Sequence, residues 1–275
     1  MKRTALYDRL VARMVVFGGW EMPIQYPTGI LEEHLRTRRQ AGLFDVSRMG
    51  RFLFRGPGAL PLLQKVLTNN AAALEPGRAQ YTMIPTPTGG ALDDAYLYCL
   101  DREEYLLVVN AANREKDWDF LHGRARDLAG LAMDDRSGEL AMLSLQGPES
   151  RRILLAFIAE AAPSGQSQPE ETIPEPGRNN LCAAVVGDVS LTIARTGYSA
   201  SLWASSSSSP LARRGDSGTA CSPWVLRRSG WGPATLSAWR RLSPCTVTSW
   251  ARIPRAGRYP SSPRPWPGSR SVSAH

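Results

Sequence analysis

Two adjacent carboxylates at the entrance to an apolar strand are the residues of this 275-residue chain best placed to do chemistry. They are Asp93 and Asp94, in the run Gly89-Gly90-Ala91-Leu92-Asp93-Asp94-Ala95-Tyr96-Leu97-Tyr98. Neighbouring strand residues point to opposite faces, so one carboxylate can face solvent while the other enters a pocket. Asp is depleted in strands, and a pair at a strand entrance calls for a reason. The plain reason is a turn closed by solvated Asp side chains. The chemical one is a carboxylate held where general acid–base work needs it.

The elements that must position this pair alternate between strand and helix. Thr4 is placed to cap a short helix through Leu10 and Met14. Residues 15–26 read as strand and loop. Ile30, Leu31 and Leu35 form a helical stripe over Ile30 to Gln40, with Gly42 as the stop. Leu43 to Met49 reads as a strand that Arg51 to Phe54 continues. Pro57 opens a helix carrying Leu60, Leu63 and Leu67. Tyr81–Ile84 and Leu92–Tyr98 read as paired strands across a Pro/Gly turn, and Tyr105–Val109 as a third. Asn113 is placed to cap a helix bearing Trp118 and Leu121. A strand at Leu140–Leu145 turns through Gln146-Gly147-Pro148 into a helix with Ile153, Leu154 and Phe157. A Pro/Gln/Glu-rich loop covers 161–178, and 181–186 with 189–195 read as a hairpin. The expected class is α+β, with mainly antiparallel sheets and packed helices.

Charge divides the chain near residue 199. Residues 1–199 carry 22 Lys and Arg against 24 acids, whereas 200–275 carry 11 Arg, no Lys and one acid, Asp216. The net charge of +8 therefore belongs to the tail. Six of the eight Trp also lie there, with the run Ser205 to Ser209 and no sustained period. An Arg-rich nucleic-acid-binding tail, a Ser/Pro linker and a shifted reading frame in a GC-rich gene compete as explanations. The genetic code favours the last. Joining the final base of each codon to the first two of the next lets Ala234 to Arg241 permit D-T-L-R-L-E-A, and Ala200 to Pro210 permit E-P-L-G-F-E-L-F-L-P. Both strings have patterning that the written tail lacks. The expectation is a one-nucleotide loss close to Ser199-Ala200, leaving 200–275 out of frame and disordered.

Cys99, Cys182, Cys221 and Cys245 have no metal-ligand spacing, and no metal is expected. Such cysteine usage suits a reducing compartment. No run is long and apolar enough for a membrane span, and the N-terminus lacks a signal-peptide core. A cytoplasmic location is expected, with neither a membrane nor a nucleic-acid partner.

Six segments in chain order carry a resemblance. They are Phe17-Gly18-Gly19-Trp20-Glu21-Met22-Pro23, Phe44-Asp45-Val46-Ser47-Arg48-Met49, Gly89 to Asp94, Val108-Val109-Asn110-Ala111, Leu145-Gln146-Gly147-Pro148 and Arg195-Thr196-Gly197-Tyr198. The set resembles the aminomethyltransferase (T-protein) of the glycine cleavage system, and the alternate-frame strings continue the likeness. The resemblance implies transfer of a one-carbon unit from the aminomethyl-lipoyl arm of H-protein to tetrahydrofolate, with release of ammonia. It implies a folate-binding domain from 1–49 and 136–199, an inserted α+β domain at 50–135, and loss of the family's C-terminal β-barrel from the written chain.

By matching positions, Asp94 takes the family's catalytic place, and Met49, Tyr81, Val108 and Asn110 would contact folate. Asp93 is expected to be solvated or turn-bonding. Tyr81 offers a flat face to the pterin or benzoyl ring, and Asn110 both a donor and an acceptor to a pteridine edge. Arg48 stands where the family usually has His. The family's later Glu and Arg have no counterpart in the tail, so the chain as written is expected to bind folate weakly and turn over little. A folate-binding relative of the dimethylglycine or sarcosine oxidase kind is the alternative, and an Arg/Trp-tail nucleic-acid binder a more remote one.

Overall fold

The computed structural model of the chain describes residues 10–160, 178–186, 189–196 and 223–228. It opens on a hairpin, β1 (Arg13–Phe17) and β2 (Trp20–Gln25), whose Phe17 and Trp20 pair directly. The two connecting residues, Gly18 and Gly19, have φ of 56° and 81°. Positive φ at both central positions is the geometry of the two-residue turn that matches strand twist, and glycine adopts it without strain. The helix expected to run through Met14 does not reach it. Thr4 lies outside the described residues, and Met14 belongs to β1, where Met14-Val15-Val16-Phe17 has the β-branched and aromatic content of a strand.

Helix α1 (Ile30–Arg39) follows, but not on the expected stripe. Leu31 is 72% exposed, whereas Glu33 is buried and accepts the Tyr26 backbone N–H at 2.7 Å. The helix is thus docked by a carboxylate that satisfies the preceding loop.

The Leu43–Phe54 strand divides. β3 (Gly42–Asp45) and β4 (Gly50–Arg55) belong to different sheets, and residues 46–49 cross between them. The Asp45 carboxylate takes the Ser47 N–H at 3.0 Å, and Met49 N–H donates to Val46 O at 3.1 Å. This local side-chain turn overrides the apolar continuity of the sequence.

The rest of the order is α2 (Ala59–Val66), β5 (Ala79–Pro85), β6 (Ala91–Asp101), β7 (Glu104–Val109), α3 (Arg114–Ala125), β8 (Ala132–Asp135), β9 (Leu140–Gln146), α4 (Ser150–Glu160), β10 (Leu181–Val186), β11 (Val189–Arg195) and β12 (Pro223–Arg228). Strands β5-β6-β7-β4-β8 form one sheet and β10-β11-β12-β9-β3 another, and every pairing is antiparallel. The fold is α+β with antiparallel sheets, as the sequence indicates.

One face of the first sheet packs Phe52, Phe54, Leu97 and Leu107 against Leu62 and Leu63 of α2 and Leu121 of α3, all fully buried. Each such side chain contributes about 2 kcal/mol of transfer free energy. The other face sets Leu53, Tyr98, Leu106 and Val108 against Met142 of β9 and Ala194 of β11. Gly147 lets the β9–α4 turn touch the C-terminal end of α1. Its φ is 116°, and a Cβ there would lie 2.5 Å from both Gln40 O and Thr37 O.

Of the stretch 200–275, expected to be out of frame and disordered, the described residues are 223–228. Pro223–Arg228 forms β12, which fills the slot between β9 and β11. Both neighbours offer unpaired backbone edges there, and an extended run can bridge them through main-chain hydrogen bonds alone. No helix among the described residues is long and apolar enough to cross a membrane.

Candidate functional site

Strand parity assembles the site. Tyr81 on β5 lies opposite Tyr96 on β6, Tyr96 opposite Val108 on β7, and Val108 opposite Arg51 on β4. Two residues along, Met83 lies opposite Asp94. Side chains two apart share a face. Asp94, Tyr96, Tyr81, Met83, Val108 and Arg51 therefore occupy one sheet face. Asn110, one residue beyond β7, comes to the end of that face beside Asp94, and Met49 lies one residue before β4. All five residues carried over from the resemblance are brought to the same end of one sheet. Val108 is buried, Met49 and Asn110 are half-buried, and Tyr81 is 44% exposed.

Asp94 is held from two sides. Asn110 Nδ2 donates to its Oδ1 at 2.8 Å, and the Tyr81 hydroxyl donates to the carboxylate. Burial and then this carboxylate push the Tyr81 hydroxyl above its ordinary pKa. Tyr81 meets Tyr96 edge to face at 6.4 Å, and Met83 is also exposed beside Asp94. A carboxylate pinned by two donors next to an open aromatic face can receive a flat ring and stabilise positive charge developing on it.

Asp93 is neither solvated nor turn-bonding. It points to the opposite, helix-covered face and is 7% exposed. Asn110 donates to it twice, from the backbone N–H at 3.1 Å and from Nδ2 at 2.9 Å, and Asn113 Nδ2 donates at 2.7 Å. Burial opposes its ionisation, yet hydrogen bonds from Asn110, Asp117 and Asn113 hold the carboxyl below the usual range. Asn113 precedes α3 as expected but makes no side-chain cap: its Nδ2 donates to Asp93, and its Oδ1 accepts from Lys116 Nζ at 3.0 Å instead of from a first-turn backbone N–H. The Gly-Gly turn stands as read: Gly89 has φ 87°, and Gly90 N–H donates to Thr86 Oγ1 at 2.9 Å.

Three motifs remote in sequence converge beside Asn110. Trp20 Nε1 donates to Ala111 O at 3.3 Å, Gly18 lies against Ala112, and the Arg48 guanidinium stands 5.0 Å over the Trp20 ring. Arg48, the departure from the family pattern, thus makes a cation–π contact. Beneath Met49 lies a residue the sequence did not single out. Arg51 is fully buried, and its guanidinium donates to Ser47 O at 3.0 Å and to the carbonyls of Met49 and Ser137. Burial first, and then Arg114, lower its pKa to about 10, so it remains charged at neutral pH. Gly197 and Tyr198 of the last motif lie outside the described residues. Among the described residues no group of three or more His, Cys, Asp or Glu is placed to hold a metal ion.

Residues 4–202 match the family described as "GCVT N-terminal domain". An aminomethyltransferase of Symbiobacterium thermophilum is 46% identical over 204 residues, covering 72% of this chain and 52% of that protein. One of Thermus thermophilus is 44% identical over 201 residues, covering 72% and 54%. Among solved structures, the glycine cleavage system aminomethyltransferase T of Bartonella henselae matches with a TM-score of 0.68 at 26% identity, over 89% of this chain and 58% of that one. The chain belongs to the aminomethyltransferase family. It spans about half the length of the curated relatives it matches.

Proposed function

We propose that this site is the folate face of a glycine-cleavage aminomethyltransferase. The carrying observation is that Asp94, Tyr81, Asn110, Val108 and Met49 meet at one end of one sheet, with Asp94 pinned by Asn110 and Tyr81. In this reading tetrahydrofolate lies against Tyr81, Val108 and Met49, with Asn110 at the pteridine edge. The aminomethyl group arrives as a thioaminal on the lipoyl arm of H-protein. Its carbon–sulfur and carbon–nitrogen bonds break, two carbon–nitrogen bonds form to folate, and ammonia and the dihydrolipoyl thiol leave. The Asp94 carboxylate stabilises the cationic carbon–nitrogen centre and passes the proton that the departing amine needs.

The same proposal makes 50–135 an inserted domain between 1–49 and 136–199, since one complete sheet is built within it. It places the protein in the cytoplasm and assigns it no metal. It also holds that the frame changes near Ser199, because the shifted frame of 200–275 permits family-like strings that the written tail lacks. The chain as written then lacks the later folate-gripping residues, binds folate weakly and turns over little. Nucleotide sequencing across the codons for Arg195 to Trp203 tests this part, and an additional nucleotide there supports it. The activity is tested with the frame restored, by following methylenetetrahydrofolate formation from aminomethyl-lipoyl H-protein. Formation that is indifferent to H-protein would instead favour a folate-binding relative acting on a free amine.

A further inference from the structure

We propose that Asp93 and Asp117 hold one proton between them, and that this protonated pair is the positioning device for Asn110 and, through it, for Asp94. Asp117 lies on α3 and is fully buried. Neither of its carboxylate oxygens receives a hydrogen bond. It faces Asp93, within hydrogen-bonding reach. Two ionised carboxylates in that contact would have no hydrogen between them and would repel in a poorly solvated place. One proton converts the repulsion into a hydrogen bond.

The surroundings decide which carboxyl carries it. Asp93 already accepts three N–H donors, two from Asn110 and one from Asn113, which favour its ionised form. Asp117 has none and takes the proton, donating it to Asp93. The charged groups facing Asp117 are Asp93 and Asp94 from β6 and Lys116 from its own helix. Burial, then the Asp93 contact, raise the Asp117 carboxyl to about 8, which keeps it neutral at pH 7. The ordering of Asn110 follows. Its Nδ2 donates to Asp93 Oδ1 at 2.9 Å and to Asp94 Oδ1 at 2.8 Å, one hydrogen for each carboxylate. The amide therefore cannot flip without losing both bonds, and its carbonyl is turned away from the acids. Loss of the Asp117 proton puts a second negative charge beside Asp93 and disturbs the amide that fixes Asp94. Asp93 and Asp117 are positioning residues. This consequence for Asp94 rests on the reading of the site given above; the shared proton does not.

The test is carbon-13 NMR of the full chain labelled at the Asp carboxyl carbons and at the Asn side-chain nitrogens, titrated from pH 5 to 9 without folate. The expected result is one Asp carboxyl that stays protonated at pH 7 and titrates near 8. The Asn110 amide signal, assigned by its loss in Asn110→Ser, should shift with the same midpoint. Asp117→Asn keeps a donor to Asp93 but has no proton to lose. It should abolish both titrations while leaving the Asn110 amide in its low-pH position. All Asp carboxyls ionised at pH 7, or an Asn110 amide that moves neither with pH nor with Asp117, overturns the proposal. Should Asp117→Asn fail to fold, the two midpoints in the parent chain still decide it. No arm contains folate, so a wrong substrate assignment leaves these outcomes unchanged.

Discussion

Replacing Asp117 by Asn should stabilise the protein by an amount that grows with pH. The folded Asp117 carboxyl titrates at about 8 against the ordinary 3.8. Between those values the folded chain keeps a proton that the unfolded chain releases. Stability therefore falls as pH rises across this window, at about 1.4 kcal/mol per pH unit for one proton, and levels off above it. Asn keeps the donor to Asp93 and has no such proton. The advantage of Asp117→Asn over the parent should widen by about 2 to 3 kcal/mol between pH 5 and pH 7. Asp93 and Asp135 do not blur the comparison. Hydrogen bonds hold both carboxyls below the ordinary range despite burial, so the stability they confer is present above about pH 4 and lost only in more acidic solution. Urea unfolding at pH 5, 6, 7 and 8, followed by far-ultraviolet circular dichroism, gives the two profiles. Parallel profiles would mean that Asp117 carries no extra proton in the folded state.

Substitutions at three further positions probe the scaffold and the face. Gly147→Ala forces a side chain into positive φ and against two backbone carbonyls, and should cost about 3 kcal/mol, read as a lowered urea midpoint. Arg51→Met leaves the carbonyls of Ser47, Met49 and Ser137 without their donor. It should cost about 3 kcal/mol and speed hydrogen exchange at the Met49 amide. Arg51→Lys should not rescue it, because one ammonium cannot reproduce the planar fork. Tyr81→Phe removes the hydroxyl from Asp94 at an exposed position. Its urea midpoint should stay near the parent's, while transfer by the restored-frame protein falls about tenfold or more.

The parts of the fold legible in sequence are those carried by local pattern. The Gly89-Gly90 turn, the β5–β6–β7 succession and the helices after Pro57 and Pro148 follow from turn residues and apolar spacing, and they appear where that spacing puts them. What escaped depends on contacts between distant residues. Nothing in Ile30-Leu31-Glu32-Glu33 says that Glu33 will be buried under Tyr26 and Leu31 left in solvent. The break at 46–49 is visible only once Asp45 is seen to cap Ser47 and two sheets compete for the chain. The Asp pair is the clearest case. Alternation correctly says that the two carboxylates part, but not that Asp93 becomes the buried one. That is set by Asn110, Asn113 and Asp117, which lie 17 to 24 residues away and carry no sign of it in isolation. Arg51 looks like an ordinary strand residue until three carbonyls are found around its guanidinium.

We propose that Asp94, on the face shared with Tyr81 and Asn110, carries the transfer. The most direct measurement compares the restored-frame protein with its Asp94→Asn variant in H-protein-dependent formation of methylenetetrahydrofolate. Asn is close in size and can still meet Asn110 through its carbonyl, so the fold should be retained and checked by its urea midpoint. A fall of about 100-fold or more in kcat is expected, with folate binding changed far less. Transfer at the parent rate by a folded Asp94→Asn protein would contradict this role for Asp94.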